Sequence, residues 1–246
     1  MKKDWFVDWF NTRYYHTLYQ HRDVSEAARF IDHLCAHLQI EKKAKILDLA
    51  CGKGRHAIHM AKKGFLTTGV DLAAESIREA KEKGVENASF DIHDIRETYI
   101  SKGFDYVFNL FTSFGYFEDP EENKKVLAAA AGNLKSEGVF VLDFLNVEKI
   151  IPNLVAEESK ILDGIQFDIN RSYTGNHIVK DIFVIDNEEE YHFQESVAAF
   201  DLDALRKMTS EVGLEITQIF GDYHLNEFDS NRSDRLILLM KKKSKR

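Results

Sequence analysis

The apolar positions of this chain change their period along its length, and each change marks an element. Trp5 and Trp9, like Phe6 and Phe10, stand four apart, which predicts a short amphipathic helix near the N-terminus. Asp23 with Glu26 three residues on reads as a capping box. It precedes an apolar stripe of Val24, Ala27, Ile31, Leu34, Cys35 and Leu38, so a helix is expected to about Gln39. From Lys45 short apolar runs alternate with helical patterns. AKILDLA, FLTTGVDL, ASFDI, FDYVFNLF and GVFVLDFL read as strands, with helices closed by Gly64 and Gly84 between the first three. Ahead of the fifth strand, Asp119 as N-cap, Pro120 at the first helical position and Glu122 at the third open another helix. Such alternation predicts a parallel sheet with helices on both faces.

After Asn146 the rhythm becomes that of an antiparallel meander. ILDGIQFDINRSY, HIVKDIFVID and EEEYHFQESVAAF form three strand-like runs separated by TGN and DNE turns. A helix starting at Asp201 follows, and then GLEITQIFGDY and DRLILLMKKK as a closing hairpin. One domain over residues 1–246 is expected: a helical lid over 1–40, an α/β core over 41–146, a β insertion over 147–200 and the closing helix and hairpin over 201–246.

Composition narrows the partners. With 44% hydrophobic residues, the 246-residue chain is able to bury a large core. No apolar run reaches the ~20 residues of a membrane helix, and the N-terminus lacks the apolar centre of a signal peptide, so no membrane partner and a cytoplasmic location are expected. Cys35 and Cys51 have no metal-type spacing and fit a reducing compartment. Lysine and arginine number 33 against 41 acids, and a net charge of −8 disfavours a nucleic-acid partner. The KKKSKR tail is expected to be a solvated end.

The chemistry concentrates in ILDLACGKGRHAIHM. Gly52, Gly54 and Ala57 satisfy the G-x-G-x-x-G/A spacing of a nucleotide-binding turn, and Asp71 in GVDLA supplies a ribose acceptor at the end of the second strand. Asp48, just ahead of the loop, would repel a phosphate at the helix N-terminus and attract an ammonium group. S-adenosylmethionine (SAM) has that ammonium group and a ribose but no phosphate, so the loop favours SAM over a nicotinamide dinucleotide.

DLACGKGRH resembles motif I of the class I SAM-dependent methyltransferases, D-x-G-x-G-x-G, and GVDLA resembles their ribose-binding motif. DIHDI is similar to their adenine-contacting segment, FDYVFNLFTSFGYF to the fourth strand with its active-site segment, and LKSEGVFVLDF to the fifth-strand motif. Residues 24–145 carry the resemblance, with Ala50, Lys53 and Ala73 as departures from the pattern. It implies an α/β fold, a seven-stranded mostly parallel doubly wound sheet with an antiparallel last strand, plus the small β insertion. It also implies cofactor contacts: Asp48 near the methionine end, Ala50, Cys51, Gly52 and Gly54 giving close backbone approach, Asp71 on the ribose and Leu72 flanking the adenine. Asp94 would accept from the adenine amino group, with Asp91 competing for that register, Ile95 would line the ring, and Asn109 and Leu110 would offer carbonyls. Ala50 in the first glycine's place implies a turn with φ below zero there.

A sulfonium methyl is already electrophilic, so alignment and exclusion of water are the main tasks. Tyr14 and Tyr15, with Phe111, Phe114 and Tyr116, are candidate aromatic faces, residues 1–22 the candidate cover, and Trp5, Trp9 and Phe10 candidate core. His16 and His192, one in the lid and one in the insertion, are candidate acid–base groups beside Tyr15; Tyr223 and His224 are weaker ones. His33 with His37, and His56 with His59, have helical metal spacings but lack a third ligand nearby, so no metal is expected. The fourth strand leads into NLFT rather than the N/D-P-P-Y/F of many nucleic-acid methyltransferases, which points to a small-molecule acceptor. The insertion would roof its pocket, as in the small-molecule N-methyltransferases, sugar-amine enzymes included, that the chain broadly resembles. Methyl transfer to nitrogen or oxygen by a monomer or homodimer is the expectation. The rivals are an NAD(P)-dependent reductase and a non-catalytic SAM-binding module.

Overall fold

The structure, a computed structural model, describes residues 5–20 and 24–243, so the Asp23 cap and the end of the KKKSKR tail lie outside the described residues. The N-terminal aromatic segment forms two short helices, α1 (Trp5–Phe10) and α2 (Arg13–Leu18). They part where the Thr12 side chain caps α2 by accepting from the Tyr15 amide. α3 (Val24–His37) leads into the alternating core. That core runs β1 (Lys45–Leu49), α4 (Arg55–Lys62), β2 (Leu66–Asp71), α5 (Ala74–Glu82), β3 (Ala88–Ile92), β4 (Phe104–Asn109), α6 (Pro120–Asn133) and β5 (Leu134–Leu145).

After α7 (Val147–Ile150), the insertion consists of β6 (Glu157–Leu162), β7 (Ile165–Tyr173), β8 (His177–Asp186) and β9 (Glu189–Ala198). The expected meander of three strands therefore has four. The first run breaks at Asp163–Gly164, where φ values of 52° and 79° make a tight hairpin turn. α8 (Leu202–Glu211), β10 (Leu214–Phe220) and β11 (Arg235–Lys242) complete the chain.

The main sheet has the order β10-β11-β5-β4-β1-β2-β3 and the insertion forms a second sheet, β6-β7-β8-β9. β11 pairs antiparallel with both β5 and β10, while β1 to β5 pair in parallel. This matches the expected doubly wound sheet. β5 shows why both faces are covered: Val139 and Val141 pack on one side with Phe30, Ile31 and Leu34 of α3. Phe140, Leu142 and Phe144 pack on the other with Val126 and Leu127 of α6. Period-two side chains buried on both sides give a continuous apolar run. The inward face of the second sheet carries Phe167, Ile169, Ile182 and Val184, and this face joins the core cluster that also holds Trp5, Trp9 and Leu18. The insertion and the N-terminal helices thus close over the same end of the main sheet.

Candidate active site

The strand order reverses between β1 and β4, and the crevice beyond the carboxyl ends of the strands at such a point is where ligands bind in doubly wound sheets. Here it is a cleft of ≈ 370 Å³. Ala50, Cys51, Gly52 and Lys53 line it from the loop after β1, Asp71 and Leu72 from the end of β2, and Ile95 and Leu110 from the loops after β3 and β4. Tyr15, His16 and Tyr19 cover it from the N-terminal segment.

The Asp71 carboxylate ties the turns together. It accepts from Gly52 N at 2.8 Å and from Ala73 N at 2.8 Å, so the side chain that faces the cleft also holds the loop after β1. Burial raises its pKa, and the amides of Ala73, Gly52 and Leu72 oppose that rise. Gly52 has φ +53° and no atom within 4 Å of where a Cβ would stand, so it presents bare backbone to open space. Ala50 corrects the expectation for its turn: its φ is +56°. An L-residue there costs about 1–2 kcal/mol. Local strain of this kind persists where the surroundings over-determine the turn, as at ligand sites.

Other expected contacts are displaced. Gly54 is not part of the cleft wall: a Cβ on it would meet Phe90 Cε1 at 2.6 Å and Ala80 Cβ at 3.3 Å, so this glycine serves close packing of α4 against β3 and α5. The Cys51 thiol is buried beside Gly69, and the residue lines the cleft. Asp94 spends its carboxylate on Arg96, whose guanidinium also bonds Glu122 at 2.9 Å, and only Ile95 of that pair reaches the cleft. Asn109 is fully buried and braces the loop after β4, donating to Leu49 O at 3.2 Å and Ser113 O at 3.3 Å.

Asp48 lies beneath the loop rather than in the wall, 1% exposed, with Oδ2 lacking a partner among the described residues. Burial pushes its carboxyl up to about 7; the Ala57 amide opposes this and Asp71 adds to it. A carboxylate so placed gains most from a nearby cation.

Of the acid–base candidates, His16 covers the cleft beside Lys53, and burial followed by that lysine lowers its pKa, leaving a neutral ring. His192 does not approach the cleft. It lies on the outer face of the second sheet, stacked on Phe183 at 4.7 Å and bonded to Asp181 at 2.8 Å. Tyr14 faces the insertion instead of the cleft, its hydroxyl on Asp186 at 3.0 Å and its ring against Tyr191. Phe114 is core, as are Trp5 and Trp9, whereas Phe10 is half-buried and lines the cleft. His33 bonds Tyr223 O at 2.7 Å, His37 bonds Gln218, and His59 bonds Asp32.

A second cavity of ≈ 370 Å³ adjoins the first, and Phe10, Tyr15, Phe111 and Tyr116 line both. Its polar groups are Glu26 of α3, Lys180 of β8, Glu195 of β9, Arg235 of β11 and Thr112. Glu195 accepts from Trp9 Nε1 at 2.8 Å, from the Tyr19 hydroxyl at 2.7 Å and from Lys180 Nζ at 2.7 Å, so it pins both N-terminal helices to the roof. Burial alone would raise its pKa; the Lys180 charge and these hydrogen bonds outweigh burial and hold it low.

Below, Asp143 is fully buried and accepts from Arg235 Nε at 2.7 Å, from Phe111 N at 2.8 Å and from the Tyr223 hydroxyl at 3.2 Å. This network holds Phe111 and Thr112 at φ +58° and +60°, two left-handed residues between the cavities. Sequence reasoning missed Arg55 and His56 as cleft residues and the charged lining of the second cavity. Arg55 lies over the Phe111 ring at 4.2 Å and His56 stacks on that ring at 4.9 Å. The position of Arg55 and His56 in the first helical turn after the glycine loop was the available signal.

The donor set fits SAM. Asp71 offers a ribose acceptor, Gly52 gives bare backbone, and the orphaned Asp48 oxygen marks a place for positive charge. A family model described as methyltransferase domain matches residues 40–197. The chain belongs to this methyltransferase family. It is a class I SAM-dependent methyltransferase, which sets aside the reductase and the non-catalytic module. The methyltransferase is 29% identical over 216 residues to a putative methyltransferase, YqeM, of Bacillus subtilis (strain 168), covering 82% of this chain and 86% of that protein. It is 26% identical over 208 residues to a glycine/sarcosine N-methyltransferase of Aphanothece halophytica, covering 82% and 76%. Its fold superposes with a TM-score of 0.79 on a SAM-dependent methyltransferase from Clostridium acetobutylicum ATCC 824, at 22% identity over 94% of this chain and 96% of that one.

Proposed function

We propose that the methyltransferase transfers the methyl group to the nitrogen of a small-molecule amine held in the second cavity, under the β insertion. The junction of the two cavities carries this reading: a space of ≈ 370 Å³, a volume suited to a small molecule, shares four aromatic walls with the cofactor cleft. When bound, SAM supplies an electrophilic methyl on a sulfonium. Gly52 and Asp71 would seat the amino-acid and ribose parts, Leu72 and Ile95 the adenine, and Asp48 would balance positive charge from beneath the loop. Tyr15, Phe111 and Tyr116 would exclude water from the junction and present ring faces to the cation, at about 0.5–2 kcal/mol each. In-line placement of the acceptor nitrogen supplies the larger share, ~7–11 kcal/mol.

Nucleophilic attack requires the free amine. The adjacent sulfonium favours an uncharged amine over an ammonium. His16, neutral and above the cofactor loop, belongs to the cover; Tyr15 and Tyr116 are the polar side chains at the junction. The glycine/sarcosine N-methyltransferase among the relatives acts on a small amine, and the net charge of −8 supports a small acceptor over a nucleic acid and fits work in the cytoplasm. Among the described residues no helix is long and apolar enough to cross a membrane. Incubation with methyl-labelled SAM and separate pools of dialysable metabolites, nucleic acid and protein tests this reading. Label is expected on nitrogen in the dialysable pool, and label confined to macromolecules refutes it.

A further inference from the structure

The second cavity also defines the kind of amine. Of the carboxylates around it two are spent, and the third, Glu26 of the wall, acts on Arg235 through its charge alone. Glu195 receives Trp9, Tyr19 on both oxygens and Lys180, and Asp143, behind the wall, receives Arg235, Phe111 and Tyr223. Glu26 stands exposed on α3. The cations still have hydrogens to give. Lys180 Nζ donates to Glu195 at 2.7 Å and to the Tyr19 hydroxyl at 2.5 Å, leaving a third N–H. Arg235 donates through Nε to Asp143 at 2.7 Å and through Nη2 to Thr112 Oγ1 at 2.8 Å, and among the described residues Nη1 has no acceptor. The Lys180 and Arg235 side chains keep 22% and 18% exposure, and both line the cavity, one from the roof and one from the main sheet.

We propose that the acceptor amine carries a carboxylate, bound between Lys180 of the insertion and Arg235 of β11 while its nitrogen faces Tyr15, Phe111 and Tyr116. This rests on the reading of the second cavity as the acceptor site and narrows it. A carboxylate accepts from both cations at once, and charge-assisted bonds of this kind are the strong ones in a partly desolvated site. A single negative charge suits the site better than a dianionic phosphate, because Glu195 and Asp143 already take up part of the charge of each cation. A neutral amino sugar would leave both N–H groups facing a ligand with no charge to match.

The test uses the full chain, methyl-labelled SAM and a dialysable metabolite pool, with matched probes of sarcosine against sarcosinamide and β-alanine against β-alaninamide. The labelled N-methyl product is expected to be a carboxylic acid, and acids to outpace their amides. Lys180→Met should lower kcat/KM for the acid by roughly 10- to 100-fold, with S-adenosylhomocysteine affinity changed by less than about threefold. Lys180→Arg should recover most of it. Because Lys180→Met strands Glu195, the double variant Lys180→Met/Glu195→Gln serves where the single one fails to fold, and the same loss is expected. An N-methylated product that is neutral or phosphorylated, or an acid whose turnover is indifferent to these variants, overturns this inference and leaves the acceptor site standing. Label on oxygen, sulfur or carbon, or on macromolecules alone, overturns both.

Discussion

Asp48→Asn separates what the buried carboxyl does for stability from what it does for the cofactor. Its carboxyl is raised from 3.8 to about 7 by burial, with Asp71 adding to the rise. A raised carboxyl favours the folded state while protonated, so stability is full below the unfolded value and is lost as pH rises toward 7. A rise of that size corresponds to about 4 kcal/mol, so the cofactor-free protein should lose roughly 1.4 kcal/mol per pH unit between pH 4 and pH 7 from this residue. The asparagine variant lacks that slope. Its own desolvation cost is constant with pH, so the difference between the two stability curves isolates Asp48 even though burial raises Asp71 in the same direction. Urea titrations at several pH values should show the wild type falling relative to the variant as pH rises. A cationic cofactor above the loop stabilises the ionised form, so SAM binding at pH 7 should release up to about half a proton in the wild type and much less in the variant. Calorimetry in buffers of different ionisation enthalpy reads that proton. Parallel stability curves, together with no proton release, would refute the electrostatic reasoning.

The two loop glycines should part company. Gly54→Ala drives a Cβ into Phe90 at a φ of +73° and should destabilise by roughly 2–4 kcal/mol in urea melts, whereas Gly52→Ala, facing open space, should lose SAM affinity with little stability lost beyond about 1 kcal/mol of strain. Asp71→Ala removes the cleft-facing acceptor that also holds Gly52 N, and calorimetric affinity for SAM should fall by roughly 100-fold with the melt still cooperative. Tyr15→Ala should reduce turnover more than melting temperature, because the ring borders both cavities. Normal turnover with a large melting loss would return Tyr15 to the core.

The α/β alternation was legible because its central strands are largely buried on both faces and end in polar residues that the sheet places together: Asp48 just before the end of β1, Asp71 at the end of β2 and Asn109 at the end of β4. The resemblance located the loop but could not tell backbone approach from packing, and Gly54 turned on Phe90, thirty-six residues away. The left-handed Ala50 contradicts its own residue preference and is not visible without coordinates. Two corrections had signals in the chain. Asp163–Gly164 is a hairpin dipeptide inside what reads as one run. In Tyr191-His192-Phe193-Gln194-Glu195 the period of two sets His192 with Gln194 on the outer face and Glu195 with Phe193 on the inner one. The second cavity drew its charges from α3, β8, β9 and β11, and no local spacing announces such a set.

The most direct measurement of the whole account is a crystal structure of the methyltransferase with S-adenosylhomocysteine. The ribose is expected on Asp71, the adenine against Leu72 and Ile95, and the sulfur at the junction bordered by Tyr15, Phe111 and Tyr116, facing the cavity of Lys180 and Arg235. An adenine lodged under the insertion, or a sulfur turned away from that cavity, would contradict it.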